Sequence, residues 1–252
     1  MSTMHSAAQV MSFTMMTFLL AGLVKGVIGM GLPTIAVGLL TLVMTPAQAA
    51  SLLIIPSFVT NVWQLVAGPS CAFLLRRLWP MMLGIGVGTW AGAGLLAQDA
   101  GGRASVTLNA ALVVYAILGL TRIDLEVPRT WESWLSLPIG AVTGLVTAAT
   151  GLFVIPAVPY LGSLGLEKED LVQALGLSFT VSTLALAGSL FFGGIFDESV
   201  AGTSLLALAP AFIGMFVGQR LRDRAKPATF RLCFFLGLLG LGMHQLTRLF
   251  SK

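Results

Sequence analysis

Charge is what this chain has least of. Asp, Glu, Lys and Arg make up 10% of its residues against 56% hydrophobic ones, too few polar side chains to cover a soluble globule of this size. Carboxylates are missing from the middle of every apolar run, because all 10 acids fall in connectors or near run ends. The Asp or Glu relay of many ion-coupled pumps is therefore absent. No Lys or Arg precedes Lys25, so the N-terminus lacks the basic region of a signal peptide and nothing there reads as cleaved. Cysteine is scarce as well: Cys71 and Cys233 have neither metal-ligand spacing nor a disulfide framework, and both read as packing residues. The sequence contains no P-loop, no HExxH and no GxSxG elbow, which removes support for ATP-driven transport by this chain alone and for the common hydrolytic chemistries. Neither a cofactor nor a metal is expected.

What the chain has instead is length of apolar sequence. Runs at about 11–44, 46–68, 78–98, 103–121, 134–164, 168–192, 203–219 and 228–247 can each cross a bilayer, which takes about 20 residues. Their Leu, Ala and Gly content lacks the period-two alternation of a barrel, so they are read as helices. The net charge of +4 does not point to nucleic acid, since the basic residues flank apolar runs and orient them in the membrane. Trp63, Trp79, Trp90, Trp131 and Trp134 read as interface anchors or core, and His244, near the end of the last run, as interfacial rather than a proton relay.

Two of these runs are too long to be single spans. At 34 and 31 residues, 11–44 and 134–164 would make helices of roughly 50 Å against a hydrocarbon core of about 30 Å. Gly29, Gly31 and Pro33 break the first, and Gly151, Pro156 and Pro159 the second, because proline removes a donor and glycine loosens the helix. Each run then becomes one helix plus a return segment, about 31–44 and 151–164. Loop charges test this count. Eight simple spans would put six Lys and Arg residues on one side and seven on the other; ten segments put ten on one side (Arg76, Arg77, Arg122, Arg129, Lys168, Arg220, Arg222, Arg224, Lys226, Arg231) and three on the other (Arg103, Arg248, Lys252). The positive-inside rule selects ten segments, with both termini on the outer face of the cytoplasmic membrane.

The chain also repeats itself. Gly22 to Gly31, GLVKGVIGMG, returns at Gly140 to Gly151, GAVTGLVTAATG, and Gly88 and Gly92 are answered by Gly214 and Gly218. Five segments per half make the halves antiparallel: the Arg76-Arg77 connector lies inside and its counterpart Asp197-Glu198 outside. The expected fold is all-α and polytopic, with two inverted repeats. They cover 1–123 and 134–252, joined by a cytoplasmic connector at 124–133, and act as one transport unit. No feature of the sequence fixes whether the chain forms a homo-oligomer.

In carriers built from inverted repeats the substrate lies near the midplane, where interrupted helices present free N–H groups and positive dipole ends. The candidate residues at the breaks are Gly26, Gly29, Gly31 and Thr34 in the first half and Thr147 and Thr150 in the second. Lys25 is the only ionisable residue deep within a long run, and so expensive a charge is a functional candidate by default. The alternative, a lysine snorkelling to a nearby interface, stays open. Thr143 stands in its place in the second half, so a cationic site would be asymmetric. Ser57, Thr60, Asn61 and Gln64 share one helical face at i, i+3, i+4 and i+7; Ser178, Thr180, Ser182 and Thr183 follow the second break. Such groups donate hydrogen bonds to oxyanions without adding charge, or else simply bond helix to helix. Gly88, Gly92, Gly214 and Gly218 read as packing residues.

The glycine-rich break after the first helix, its return around Gly144 to Pro156 and the polar helix after each resemble the sulfite exporter family TauE/SafE, over residues 12 to 248. The resemblance differs in the sparseness of the glycines, GVIGMG and VTAATG. It implies a transporter, not an enzyme, for sulfur-containing oxyanions or organic anions, sulfite and sulfonates such as sulfoacetate being the recurring examples. The membrane potential, worth about 2.3 kcal/mol per charge per 100 mV, would expel a monovalent anion and support a gradient near fiftyfold. The expectation is a small-anion exporter driven by the potential or by a coupling ion; an ion-coupled uptake carrier and a membrane enzyme or assembly factor are the rivals.

Overall fold

The computed structural model describes residues 7–96, 102–121, 126–195, 198–222 and 227–250. Arg122, Asp197, Arg224, Lys226 and Lys252 lie outside them. The described residues form ten helices: α1 (Ala7–Ile28), α2 (Leu32–Leu40), α3 (Pro46–Val66), α4 (Cys71–Ala91), α5 (Arg103–Thr121), α6 (Arg129–Thr150), α7 (Ala157–Gly162), α8 (Lys168–Phe192), α9 (Glu198–Arg222) and α10 (Pro227–Phe250). Eight are long and apolar enough to cross a membrane; α2 and α7 are the short return segments. The fold is all-helical, as the apolar runs without alternation require.

Both breaks form where expected. Gly31 (φ 104°) precedes α2, which carries Pro33 in its first turn, and Gly151 (φ 74°) ends α6. Both sit in the left-handed region that favours glycine. Beyond Gly151, Leu152, Phe153 and Val154 are non-helical and fully buried, so the irregular backbone is enclosed by protein, as a membrane demands.

Two helix ends differ from the sequence expectation. Arg76 and Arg77, read as a connector, lie inside α4, and the 124–133 connector is shortened because α6 begins at Arg129. One ion pair accounts for both. Arg77 Nε donates to Glu132 Oε1 at 2.6 Å and Nη2 to Oε2 at 2.8 Å, a two-pronged contact that neutralises each charge within its helix. Arg77 Nη2 also reaches Leu164 O at 3.2 Å, while Tyr160 Oη donates to Glu132 O at 3.0 Å. The start of α6, the end of α7 and α4 are thereby tied together.

Packing exchanges the halves. α1 packs on α9 and α6 on α4, α3 crosses α8, and α5 lies on α10. A methyl group on Gly22 would meet Ala211 O at 2.1 Å and one on Gly26 Met215 O at 2.2 Å; on the other side, Gly140 meets Met81 O at 2.2 Å and Gly144 Ile85 O at 2.3 Å. Both seams are parallel, backbone against backbone, as small residues four apart allow. The partner glycines are Gly214 and Gly218 on α9 but Gly84 and Gly88 on α4. This corrects the expected match of Gly88 and Gly92: Gly84, Gly88 and Gly92 repeat every fourth residue, so spacing alone cannot choose the register. In contrast α3 and α8 run antiparallel, with Ser57 beside Thr183 and Leu65 beside Gln173. So do α5 and α10, with Gly119 against Phe235 and Asn109 against Gly242. Trp63, Trp79, Trp90, Trp131 and Trp134 are all exposed, so they are not core residues.

Two outcomes follow from these contacts. Gly88→Ala forces the α4–α6 seam apart and lowers stability by about 1–3 kcal/mol, while Gly86→Ala, with open space at that position, leaves it unchanged or raised; thermal unfolding in detergent reads the difference. Glu132→Gln costs roughly 3 kcal/mol by leaving Arg77 unpaired, and a double-mutant cycle with Arg77→Gln gives a coupling that recovers part of that loss.

Candidate functional site

Lys25 falls in the last turn of α1 and is 3% exposed. Its side chain crosses to α3, where Nζ donates to Thr60 Oγ1 at 3.2 Å and to Asn61 Oδ1. The lysine therefore does not snorkel; it turns into the protein. Its two partners are neutral, and the ion pair formed among the described residues is that of Arg77 and Glu132, elsewhere. An ammonium buried against neutral oxygens has its hydrogen bonds without a countercharge, an expensive arrangement in a low dielectric.

The α3 face continues the cluster, since its i, i+3, i+4, i+7 spacing turns all four polar residues inward. Asn61 Nδ2 donates to Ser57 Oγ at 3.0 Å, and Ser57 Oγ lies 3.3 Å from Thr183 Oγ1 on α8. Thr60 Oγ1 bonds back to Pro56 O at 2.7 Å. Gln64 Nε2 donates to Gly29 O at 3.0 Å and to Val172 O at 2.6 Å, clasping the first break to α8. A row of buried polar side chains thus follows α3 from Gln64, beside Gly29, past Asn61 and Ser57 to Thr183 on α8, with Lys25 joined to it through Thr60 and Asn61. It begins in the last third of α3, so the charged end sits towards the end of the bundle that carries Lys168, Arg220 and Arg222, not at the helix centres.

Other buried groups have hydrogen-bonding capacity unspent. The buried side-chain oxygens without a partner among the described residues are those of Thr34, Thr89, Asn109, Ser178 and Ser182, three of them expected site residues. Ser178 and Ser182 fall in the stretch of α8 that packs on the polar part of α3, between Gly176, which abuts Asn61 O and Leu65 N, and Thr183. Thr34 stands in the first turn of α2, just past Gly31. The backbone N–H groups of Met30, Gly31 and Thr34 at the first break, and of Phe153, Val154 and Ile155 at the second, join none of the backbone bonds that secure those turns. A buried hydroxyl without a partner costs about 1–3 kcal/mol, which an oxyanion's acceptors would relieve.

Not every expected residue joins the cluster. Gly26 is taken up by the α1–α9 seam. Thr147 and Thr150 secure the second break instead: Thr147 Oγ1 donates to Thr143 O at 2.7 Å and to Leu152 O at 3.3 Å, and Thr150 Oγ1 donates to Val146 O at 2.6 Å and accepts from Leu152 N. Thr143, in Lys25's place, bonds Ile139 O on its own helix, so the second half has no cation at the matching position. Gln173 was not among the residues singled out for the site. Gln173, buried, bonds Leu65 O, Gly68 O and Ser70 N, fixing the α3–α4 turn against α8. Its signal in the sequence is a glutamine within an apolar helix, the same signal that marked Gln64.

Comparison with known proteins adds one positive finding. Residues 14–244 match the family model described as Sulfite exporter TauE/SafE, whereas no curated protein and no solved structure gives a match. With eight apolar helices and a family match over nearly its whole length, this chain is a multi-pass membrane protein that belongs to the TauE/SafE sulfite exporter family of transporters.

Proposed function

We propose that the protein exports a small sulfur-containing anion, sulfite or an organosulfonate such as sulfoacetate, across the cytoplasmic membrane, with Lys25 as the charged element of its binding site. The observation that carries this reading is the Lys25 ammonium, buried between two neutral oxygens with no carboxylate paired to it. A substrate anion supplies the missing charge, and the unpaired hydroxyls of Ser178, Ser182 and Thr34 supply donors for its oxygens. The membrane potential drives a net negative charge outward without a further site. Gly29, Gly31, Ser57, Asn61 and Gln64 shape the remaining wall, while Thr147 and Thr150 hold the second break.

The two halves are read as inverted repeats forming one unit. The exchanged seams and the antiparallel run of α3 with α8 and of α5 with α10 support this, since an axis in the membrane plane reverses each helix onto its counterpart. The basic ends of α4, α6, α8 and α9 then face the cytoplasm and both termini the outside. Cysteines placed at either terminus should react with a membrane-impermeant maleimide in intact cells, and protection of both would reverse the orientation.

The transport reading is tested in proteoliposomes. Wild-type protein should pass sulfite or sulfoacetate above the level of empty vesicles under an imposed potential, and Lys25→Met should cut that flux about tenfold or more, the value of a hydrogen bond to charge. The same substitution should leave the unfolding temperature unchanged or raised, because it removes a buried unpaired charge, while abolishing the upward shift that sulfite gives the wild type. No flux above empty vesicles would end the reading; flux that demands a proton or sodium gradient would make the protein an uptake carrier.

A further inference from the structure

One cavity opens beside the polar row at the basic end of the bundle. It encloses about 430 Å³ and is lined by Gln64, Val172 and Gln173 together with Lys168, Gln219 and Arg222, and by Glu169 as its one carboxylate. It lies where α3 and α9 end and α8 begins. Gln64 is shared between two surroundings: it lines the cavity, and its amide bonds Gly29 O, whose residue closes the last turn of α1 through Gly29 N to Lys25 O at 2.8 Å. Thr60 and Asn61, which hold the Lys25 ammonium, are one turn before Gln64 on α3.

Resting on the site reading above, we propose that this cavity is the vestibule through which a small anion reaches Lys25, and that Gln64 is the bar between the two. The lining suits that task. Two cations face one carboxylate, so an anion entering from water meets one excess positive charge, and the lining glutamines are neutral amides that can hydrogen-bond the ion, Gln64 and Gln173 by exchanging their present carbonyl acceptors, without trapping it. The space admits an oxyanion of a few heavy atoms with part of its hydration. Gln64 is held by two carbonyls, on α1's break and on α8, and an arriving oxyanion can replace either of them as the acceptor for its amide N–H. Swinging Gln64 aside frees Gly29 and uncovers Thr60 and Lys25. The bar thus opens by exchanging its own acceptors for the anion's, with no helix needing to move.

Thiol access tests this without relying on transport. In a background carrying Cys71→Ser and Cys233→Ser, Gln219→Cys reports on the vestibule and Thr60→Cys on the space behind the bar, with the membrane-impermeant anion methanethiosulfonate ethylsulfonate added to one face of sealed vesicles at a time. Gln219→Cys should react from the basic face. Thr60→Cys should react slowly from that face with Gln64 present and about tenfold faster with Gln64→Ala, the loss of a bar held by ordinary hydrogen bonds. Gln64→Asn, whose amide falls short of both carbonyls, gives the same comparison should the alanine variant fail to fold. A Thr60→Cys rate indifferent to residue 64, or reaction only from the opposite face, overturns the vestibule. If that occurs while Lys25→Met still abolishes flux, the anion site stands and the route alone is wrong; absence of flux in the wild type, with Thr60→Cys unmasked as described, would overturn the site's function and leave the access route intact.

Discussion

Everything in this molecule depends on how closely two pairs of helices can approach. At the α1–α9 and α4–α6 seams backbone meets backbone, and a single methyl group would collide with a carbonyl oxygen at either one. In a solvent of lipid tails there is little hydrophobic gain in bringing helices together, so contact area and weak Cα–H···O bonds must supply the cohesion. Because each seam joins a helix of one half to a helix of the other, the halves are held by exchange rather than side by side. α3 and α8 are left to cross in the middle, and it is their mutual face that carries the polar side chains.

That enclosed face explains how the chain keeps an ammonium inside a bundle almost empty of charge. Arg77 and Glu132 solve the same problem in the ordinary way, by pairing at 2.6 Å and 2.8 Å. Lys25 does not: it receives hydrogen bonds and no charge. The contrast within one protein is between an ion pair that is complete as it stands and a buried ammonium that has only neutral partners, the imbalance on which the proposed anion site rests. Where the second half's glycine-rich segment matches the first, Thr143 stands in place of the lysine, and its hydroxyl is satisfied within its own helix.

The architecture was legible because membrane helices advertise themselves by length and composition, and because the two long runs exceed what a bilayer can hold. The inward face of Ser57, Thr60, Asn61 and Gln64 was legible from a spacing of three and four. Other features depend on partners far along the chain. Arg76 and Arg77 looked like a connector because the charge that permits Arg77 within a helix, Glu132, lies 55 positions away. The seam register was hidden by three glycines at equal intervals, and the bonds that Thr147 and Thr150 make to carbonyls four residues back are not announced by the sequence, which shows the same hydroxyl whether it is bonded or free. Gln173 passed unnoticed for a similar reason: what it holds is backbone, which no side-chain pattern announces.

The seams also set the order in which the protein can be made. Gly22 meets Ala211 and Gly26 meets Met215, so α1 leaves the ribosome long before the helix that completes it. At about 5–20 residues per second the interval is roughly ten to forty seconds, during which its narrow glycine stripe has only lipid or the insertion machinery against it. α4 waits far less for α6. Biogenesis is therefore lopsided: the seam in the middle of the chain can close while synthesis continues, and the one that spans the chain is the last to form, making α1 the element most dependent on being held in place until α9 arrives.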